Sequence, residues 1–212
     1  MLVLGINTVA DVCEAALVDG GRVVAQISEP MTQGHDARLA PVVQQVMSEA
    51  GIAFNQLDRV AAIVGPGSFT GVRVGVAFAR ALGMTLGVPT IGVSSLEALD
   101  GLPREGKVLG VLAAKRRPPH RSWWAQQIRT GRAVGEAGEL DEAGIVALAT
   151  GVDVVCGEAG DLPEMPARIV AARPSAVAAA RFAALLPAGD FPAARPIYVR
   201  EPDAAPMRPV RS

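Results

Sequence analysis

The stretch "VGPGSFTGVRVGVAFARALG", Val64–Gly83, decides how the rest of the chain is read. A glycine-rich turn leads into a long helical pattern, and a short apolar run with strand character, "RVAAIV" (Arg59–Val64), comes before it. A strand–loop–helix junction of this kind can hold an anion, because helix N-termini carry free N–H groups and partial positive charge. The spacing does not match the known nucleotide loops. No lysine follows the glycines as G-x-x-x-x-G-K-[ST] requires, and Gly67 and Gly71 stand four apart rather than in a G-x-G-x-x-G frame. Gly65, Pro66 and Gly67 read equally well as a tight turn, with Ser68 as a turn hydroxyl or helix cap. Gly65, Gly67 and Ser68 are kept as a candidate phosphate-facing loop.

The helix after the loop carries the second signal. Gly71, Gly75, Ala79, Gly83 and Gly87 recur every four residues and form a nearly bare stripe. Each helical glycine costs about 1 kcal/mol relative to alanine, so close approach of another element must compensate. Packing on a helix of the same chain and packing on a second protein chain both fit. The neighbouring row Val74, Phe78, Leu82 and Leu86 is expected to face the chain's own sheet.

Outward from this helix, the order is β-β-β-α-β-α-β. "LVLGINT" (Leu2–Thr8), "CEAALVD" (Cys13–Asp19) and "RVVAQIS" (Arg22–Ser28) read as strands, the last two joined by a turn at Asp19-Gly20-Gly21. "RLAPVVQQVMSEAG" has Leu39, Val42, Val43, Val46 and Met47 at helical spacing, with Pro41 in its first turn or at a kink. "VPTIGVS" (Val88–Ser94) is a strand, and Ser94 with Glu97 predicts a capped short helix. The second half echoes the order, with strands at Lys107–Ala114, Ser122–Ile128 and Val152–Gly157, and helices near Asp141–Ala149 and Pro174–Leu186. A turn lies near Gly131–Arg132. This α/β chain is expected to divide into residues 1–101 and 102–212, joined around Asp100–Gly106, with a proline-rich tail as an extended strap.

With 212 residues, half of them apolar, and a formal charge of −1, the chain can bury real cores and does not advertise polyanion binding. Cys13 and Cys156 lie in apolar runs and read as buried thiols of a reducing cytoplasm. No leader and no membrane-length apolar run is evident, so a cytoplasmic protein without a membrane association is expected.

Catalytic groups are scarce. His35 and His120 form no metal-ligand pair, no serine-nucleophile elbow exists, and Asn7 ends the first strand where a phosphotransferase of this topology would want an aspartate. The run "KRRPPHRSWW", with Lys115, Arg116, Arg117 and Arg121 beside Trp123 and Trp124, reads as a solvated hairpin tip with packed indoles; phosphate contacts with base stacking are the alternative.

The segments "LGINTVADVCEAALVDGG", "GHDARLAPVVQQVM", "VAAIVGPGSFTGVRVGVAFARALG" and "VPTIGVSSLEAL" resemble the TsaB family, the non-catalytic partner subunits of bacterial tRNA threonylcarbamoyladenosine synthesis. "RPIYVREPDA" (Arg195–Ala204) is similar to the family's closing proline–tyrosine–arginine segment. Two positions depart from the pattern. Asn7 replaces the usual aspartate, and "LAAKRRPPHRSWW" replaces a strand ending in aspartate–alanine–arginine, so the second half matches more loosely. The resemblance implies an actin-like (sugar-kinase/heat-shock-ATPase superfamily, ribonuclease H-like) tandem of two β-β-β-α-β-α lobes, without its own active site. It also implies a homodimer in isolation, pairing with the paralogue TsaD, recruitment of the ATPase TsaE, and contact with tRNA through the complex. ATP, ADP and metal would belong to the partners. The threonylcarbamoyl group would pass to the adenosine beside the anticodon. Partner contact is expected at Leu39, Val42, Val43, Val46, Gly71, Arg73, Gly75 and Ala79. The competing reading is an actin-like small-molecule kinase or ATPase using the Gly65–Gly71 loop for phosphate; a peptidase has no residue support.

Overall fold

The computed structural model describes residues 1–114, 121–158, 162–189 and 191–199. The continuously buried β1 (Leu2–Asn7) and β2 (Val12–Asp19) and the more exposed β3 (Arg22–Pro30) build an antiparallel meander. The β2–β3 turn places Gly20 and Gly21 at φ 54° and 88°, the two positive values a tight hairpin needs. Helix α1 (His35–Ala50) follows, closed by Gly51 in the left-handed conformation. Pro41 lies inside α1 on its exposed side. Strand β4 (Arg59–Ile63), helix α2 (Phe69–Leu86) and strand β5 (Thr90–Val93) complete the first sheet, ordered β3-β2-β1-β4-β5, with β1, β4 and β5 parallel.

The second sheet repeats this wiring. Strands β6 (Lys107–Ala113), β7 (Trp123–Arg129) and β8 (Arg132–Leu140) form a meander, helix α3 (Glu142–Ala149) follows, and β9 (Val154–Gly157) and β10 (Arg168–Ala171) add in parallel. The order is β10-β9-β6-β7-β8, the same permutation as the first. The topological echo read from the sequence is therefore a duplicated five-stranded unit.

Three expectations are corrected. The Ser94–Glu97 pattern caps no helix. Ser94 N–H reaches Glu97 Oε2 at 3.4 Å and Ser94 Oγ accepts from Leu96 N–H at 3.2 Å, but the chain turns at once into a bridge between Leu99 and Pro174. Strands β8 and β10 were not expected. Helix α4 (Ala176–Ala184), which the division at residue 101 assigns to the second lobe, packs on the first sheet. Its Ala176, Ala179, Ala180 and Ala183 sit in one core with Val3, Ala16, Val18, Ala61 and Ile63. Small residues let it lie so close that a Cβ at Gly5 would collide with the Ala176 carbonyl. Buried Arg59 fixes the far end of α4, donating to the carbonyls of Ala183 (2.5 Å) and Leu186 (2.8 Å) with its guanidinium over Phe191. The opposite face of the first sheet carries α1 and α2 side by side.

Candidate functional site: the glycine loop, the cleft and the paired helices

The glycine stripe of α2 packs inward. Gly71, Gly75, Ala79 and Gly83 are buried with Val72 and Val76. A Cβ at Gly71 would overlap the Thr8 carbonyl oxygen, one at Gly75 would overlap Thr8 Oγ1, and one at Gly83 would overlap Thr90 Oγ1. The residues that require bare backbone are thus the ends of β1 and β5, not a helix. The row Val74, Phe78, Leu82 and Leu86, expected on the sheet, is instead half-buried along the outer flank of α2. The two rows are interchanged relative to the sequence reading.

The loop before α2 is tied down in the same way. Thr8 Oγ1 donates to the Gly71 carbonyl (2.7 Å), and Ser68 N–H donates to the Val9 carbonyl (3.1 Å). Ser68 Oγ accepts from Gly71 N–H (3.3 Å) as an ordinary N-cap. Any side chain at Gly67 would come within 2.8 Å of the Val9 carbonyl. Gly65 has φ +101° and precedes a cis Pro66, and its exposed side is covered by the C-terminal strap, residues 191–199. Ile197 N–H donates to the Val64 carbonyl at 2.7 Å, and the Ile197 carbonyl lies 2.7 Å from where a Gly65 Cβ would sit. Arg73 holds the strap: its Nε donates to Tyr198 Oη (3.0 Å) and its guanidinium stacks 3.8 Å above the Phe69 ring.

Between the lobes lies a cleft of about 1460 Å³. Among the described residues, the charged side chains lining it are Asp11, Glu14, Asp100, Glu158 and Arg173. Glu14, 4% exposed, lines the cleft, and the fully buried Asn7 bonds to that carboxylate from the interior. Asn7 Nδ2 donates to Glu14 Oε2 (3.2 Å) and to the Pro174 carbonyl (2.9 Å), while Asn7 Oδ1 accepts from Val9 N–H (3.1 Å). Glu14 also accepts from Gln26 Nε2 (2.7 Å) and from Ala176 N–H (3.0 Å). Sequence reasoning missed Glu14; a charged residue inside "CEAALVD" was the available signal, since a buried carboxylate needs partners. Among the described residues, no cluster of His, Cys, Asp and Glu could hold a metal ion. His35 is buried with Nε2 3.1 Å from the Val12 carbonyl. His120 lies outside the described residues.

The expected interface residues divide sharply. Leu39, Val42, Val43 and Val46 are the sheet-facing side of α1, and Gly71, Gly75 and Ala79 the sheet-facing side of α2, all buried within the chain. Arg73 is exposed. What the helix pair offers outward is Ala37, Ala40, Pro41 and Gln44 on α1, and Ala77, Ala81 and Met84 on α2, the last 81% exposed.

In the hairpin region Trp123 is 2% exposed and Trp124 half-buried, so packing rather than stacking on a nucleic acid accounts for the indoles. Lys115, Arg116 and Arg117 lie outside the described residues, and Arg121 is exposed. Cys13 and Cys156 are free and buried, and burial is the main cause that pushes both thiols up to about 11. No described helix is long and apolar enough to cross a membrane.

Residues 23–107 match the sequence family described as TsaD, tRNA N6-adenosine threonylcarbamoyltransferase. An uncharacterised protein of Mycobacterium tuberculosis is 34% identical over 97% of this chain and 94% of its own length. The tRNA threonylcarbamoyladenosine biosynthesis protein TsaB of Escherichia coli is 32% identical over 66% of this chain and 61% of its own. Among solved structures, YeaZ from Pseudomonas aeruginosa superposes with a TM-score of 0.73 at 26% identity, covering 93% of this chain and 99% of that one. A ROK hexokinase from Thermus thermophilus, with a TM-score of 0.55 at 15% identity over 87% of this chain and 97% of that one, shares the actin-like fold alone. With its duplicated sheets, its glycine-bearing helix and these likenesses, the chain belongs to the TsaB (YeaZ) family, paralogous to TsaD.

Proposed function

We propose that this chain takes part in tRNA threonylcarbamoyladenosine synthesis as a subunit without an active site of its own. It pairs with a TsaD-type paralogue and, through that pair, meets a TsaE-type ATPase and tRNA; nucleotide and metal belong to the partners. One observation supports the non-catalytic role most strongly: the parts an actin-like enzyme would use on phosphate are engaged in packing. The glycines admit Thr8 and Val9, the strap covers Gly65, and the Asn7 amide is bonded on both its nitrogen and its oxygen. Among the described residues, four of the five charged side chains lining the cleft are acidic.

Pairing uses the outward side of α1 and α2, where Ala77, Ala81 and Met84 flank the half-buried Val74, Phe78 and Leu82. Small residues there let a partner helix approach, and the apolar row gives it area to bury. The same face serves a homodimer when the partner is absent. The test is co-expression with a tagged TsaD-type protein. Wild type should co-purify, and Ala81→Arg should not, while keeping its melting temperature because residue 81 is exposed. An Ala81→Arg chain that still co-purifies removes this face from the pairing.

A further inference from the structure

The C-terminal strap is anchored by its backbone. Gly92 N–H donates to the Pro192 carbonyl (2.9 Å), Ala193 forms a bridge with Ile91 of β5, and Ile197 N–H donates to the Val64 carbonyl (2.7 Å). With the main chain held in this way, the Ile197 and Tyr198 side chains stay at the surface, 42% and 44% exposed. Tyr198 is nonetheless fixed in place. Its ring lies 4.9 Å from that of Phe69, in the first turn of α2, and its hydroxyl accepts from Arg73 Nε (3.0 Å). The Arg73 guanidinium sits 3.8 Å from the Phe69 ring centre and 5.8 Å from that of Tyr198. Exposed tyrosine and arginine held in one arrangement are the side chains that concentrate binding energy at protein interfaces, because little freedom is lost when they are covered.

This cluster continues the outward side of α2. Ala77 lies one turn beyond Arg73, and Ala81 and Met84 follow, all exposed. Two alanines and a methionine bring little towards the roughly 800 Å² that each side of a stable interface contributes. Ile197 and Tyr198 add large apolar surface at the end of that row. The charge here has one sign. Helix α2 carries Arg73 and Arg80 and the strap carries Arg195, all exposed, and neither segment contains an acidic residue. Setting these two segments against the same two of a second copy would oppose like charges, so an occupant with carboxylates is favoured.

We propose that Ile197 and Tyr198, clamped on Phe69 and Arg73, extend the surface that receives the TsaD-type paralogue, and that they seat an apolar, carboxylate-bearing segment of it at the N-terminal end of α2. This rests on the pairing proposed above and goes further by making the C-terminal strap part of the contact.

The experiment titrates the full chain with a purified TsaD-type protein by calorimetry. Ile197→Asp keeps the backbone bonds of the strap and the Arg73–Tyr198 latch, so it should melt like wild type, yet bind at least about tenfold more weakly. Tyr198→Ala should lose as much, whereas Tyr198→Phe, which keeps the ring and drops the hydroxyl, should bind close to wild type. Wild-type affinity should fall as salt is raised. A folded Ile197→Asp chain that binds normally overturns the proposal. So does a Tyr198→Phe chain as weak as Tyr198→Ala, which would mean that Tyr198 only positions the strap, and so does an affinity indifferent to salt. Ala81→Arg separates this inference from the reading beneath it. If Ala81→Arg abolishes binding while the strap variants bind normally, the helix face pairs and the strap does not. If the strap variants lose binding while Ala81→Arg keeps it, the strap contact stands and the helix face is removed. A wild-type chain that binds no TsaD-type protein overturns both.

Discussion

Replacing Gly71 by alanine separates a glycine that faces its own chain from one that faces a partner. On an open helix face the change should stabilise by about 1 kcal/mol, the intrinsic preference of alanine. In this structure the new Cβ would overlap the carbonyl oxygen of Thr8, a backbone atom that no rotamer change can move. Overpacking of that kind costs about 1–3 kcal/mol, and the rigid partner puts it at the upper end. The net is a loss of about 2 kcal/mol, or about 4–8 °C in melting temperature for a chain of this size. At Gly75 the obstacle is the Thr8 hydroxyl, which can rotate away at the expense of its bond to the Gly71 carbonyl, about 1 kcal/mol. Gly75→Ala should therefore come out close to neutral, and adding Thr8→Ala should relieve what clash remains, giving a coupling term between the two sites. Urea unfolding of wild type, Gly71→Ala, Gly75→Ala, Thr8→Ala and the Gly75→Ala/Thr8→Ala pair, with melting curves alongside, measures all of this. A Gly71→Ala chain that melts higher than wild type while losing its partner would refute the inward orientation of the stripe.

Other consequences can be checked alongside. Arg59→Ala leaves the Ala183 and Leu186 carbonyls without their donor and should lower unfolding free energy by about 3 kcal/mol, with Arg59→Lys recovering part of it. Ellman's reagent at pH 8 should react with neither Cys13 nor Cys156 until denaturant is added. Because both thiol values are raised to about 11 in the folded chain, the stability they contribute is complete below the ordinary thiol value. It should be lost as pH rises from about 9 towards 11, which alkaline melting curves would register. Asn7→Asp should create no ATP hydrolysis in the isolated chain and should destabilise it, since it places a second carboxylate against Glu14 and removes the donor to Pro174. Turnover gained by that variant in a coupled phosphate-release assay would contradict the structural role of Asn7.

Much of the fold was legible because the local signals agree. Glycines at 20 and 21, helical spacing from Leu39 to Met47 and the apolar runs of β1, β4 and β6 each point to what forms. The failures share a cause, the absence of distance information. A small residue every fourth position says that something approaches closely, but a β1 end and a foreign helix impose the same pattern, so the stripe was turned to the wrong side. "RAVGEAGEL" reads poorly as a strand because Gly135 and Gly138 lower its propensity; pairing with β7 and a register shift near Ala125 carry it. Ser94 and Glu97 make the bonds of a cap with no helix behind them. The Asn7–Pro174 contact spans 167 residues, and nothing local in either segment announces it. At the site, the missing lysine and the asparagine at the end of β1 raise the question of whether phosphate is held, and the structure shows Thr8, Ser68 and Asn7 engaged in hydrogen bonds within the chain.

The account stands most directly on a reconstitution with purified components: this chain, a TsaD-type partner, a TsaE-type ATPase, tRNA and the threonylcarbamoyl adenylate, with modified adenosine in the tRNA read by mass spectrometry. The predicted result is product only when this chain and the TsaD-type partner are both present, none from this chain alone, and loss of product with Ala81→Arg. Modified tRNA formed by this chain without the partner, or formed equally well by the partner without this chain, would contradict it.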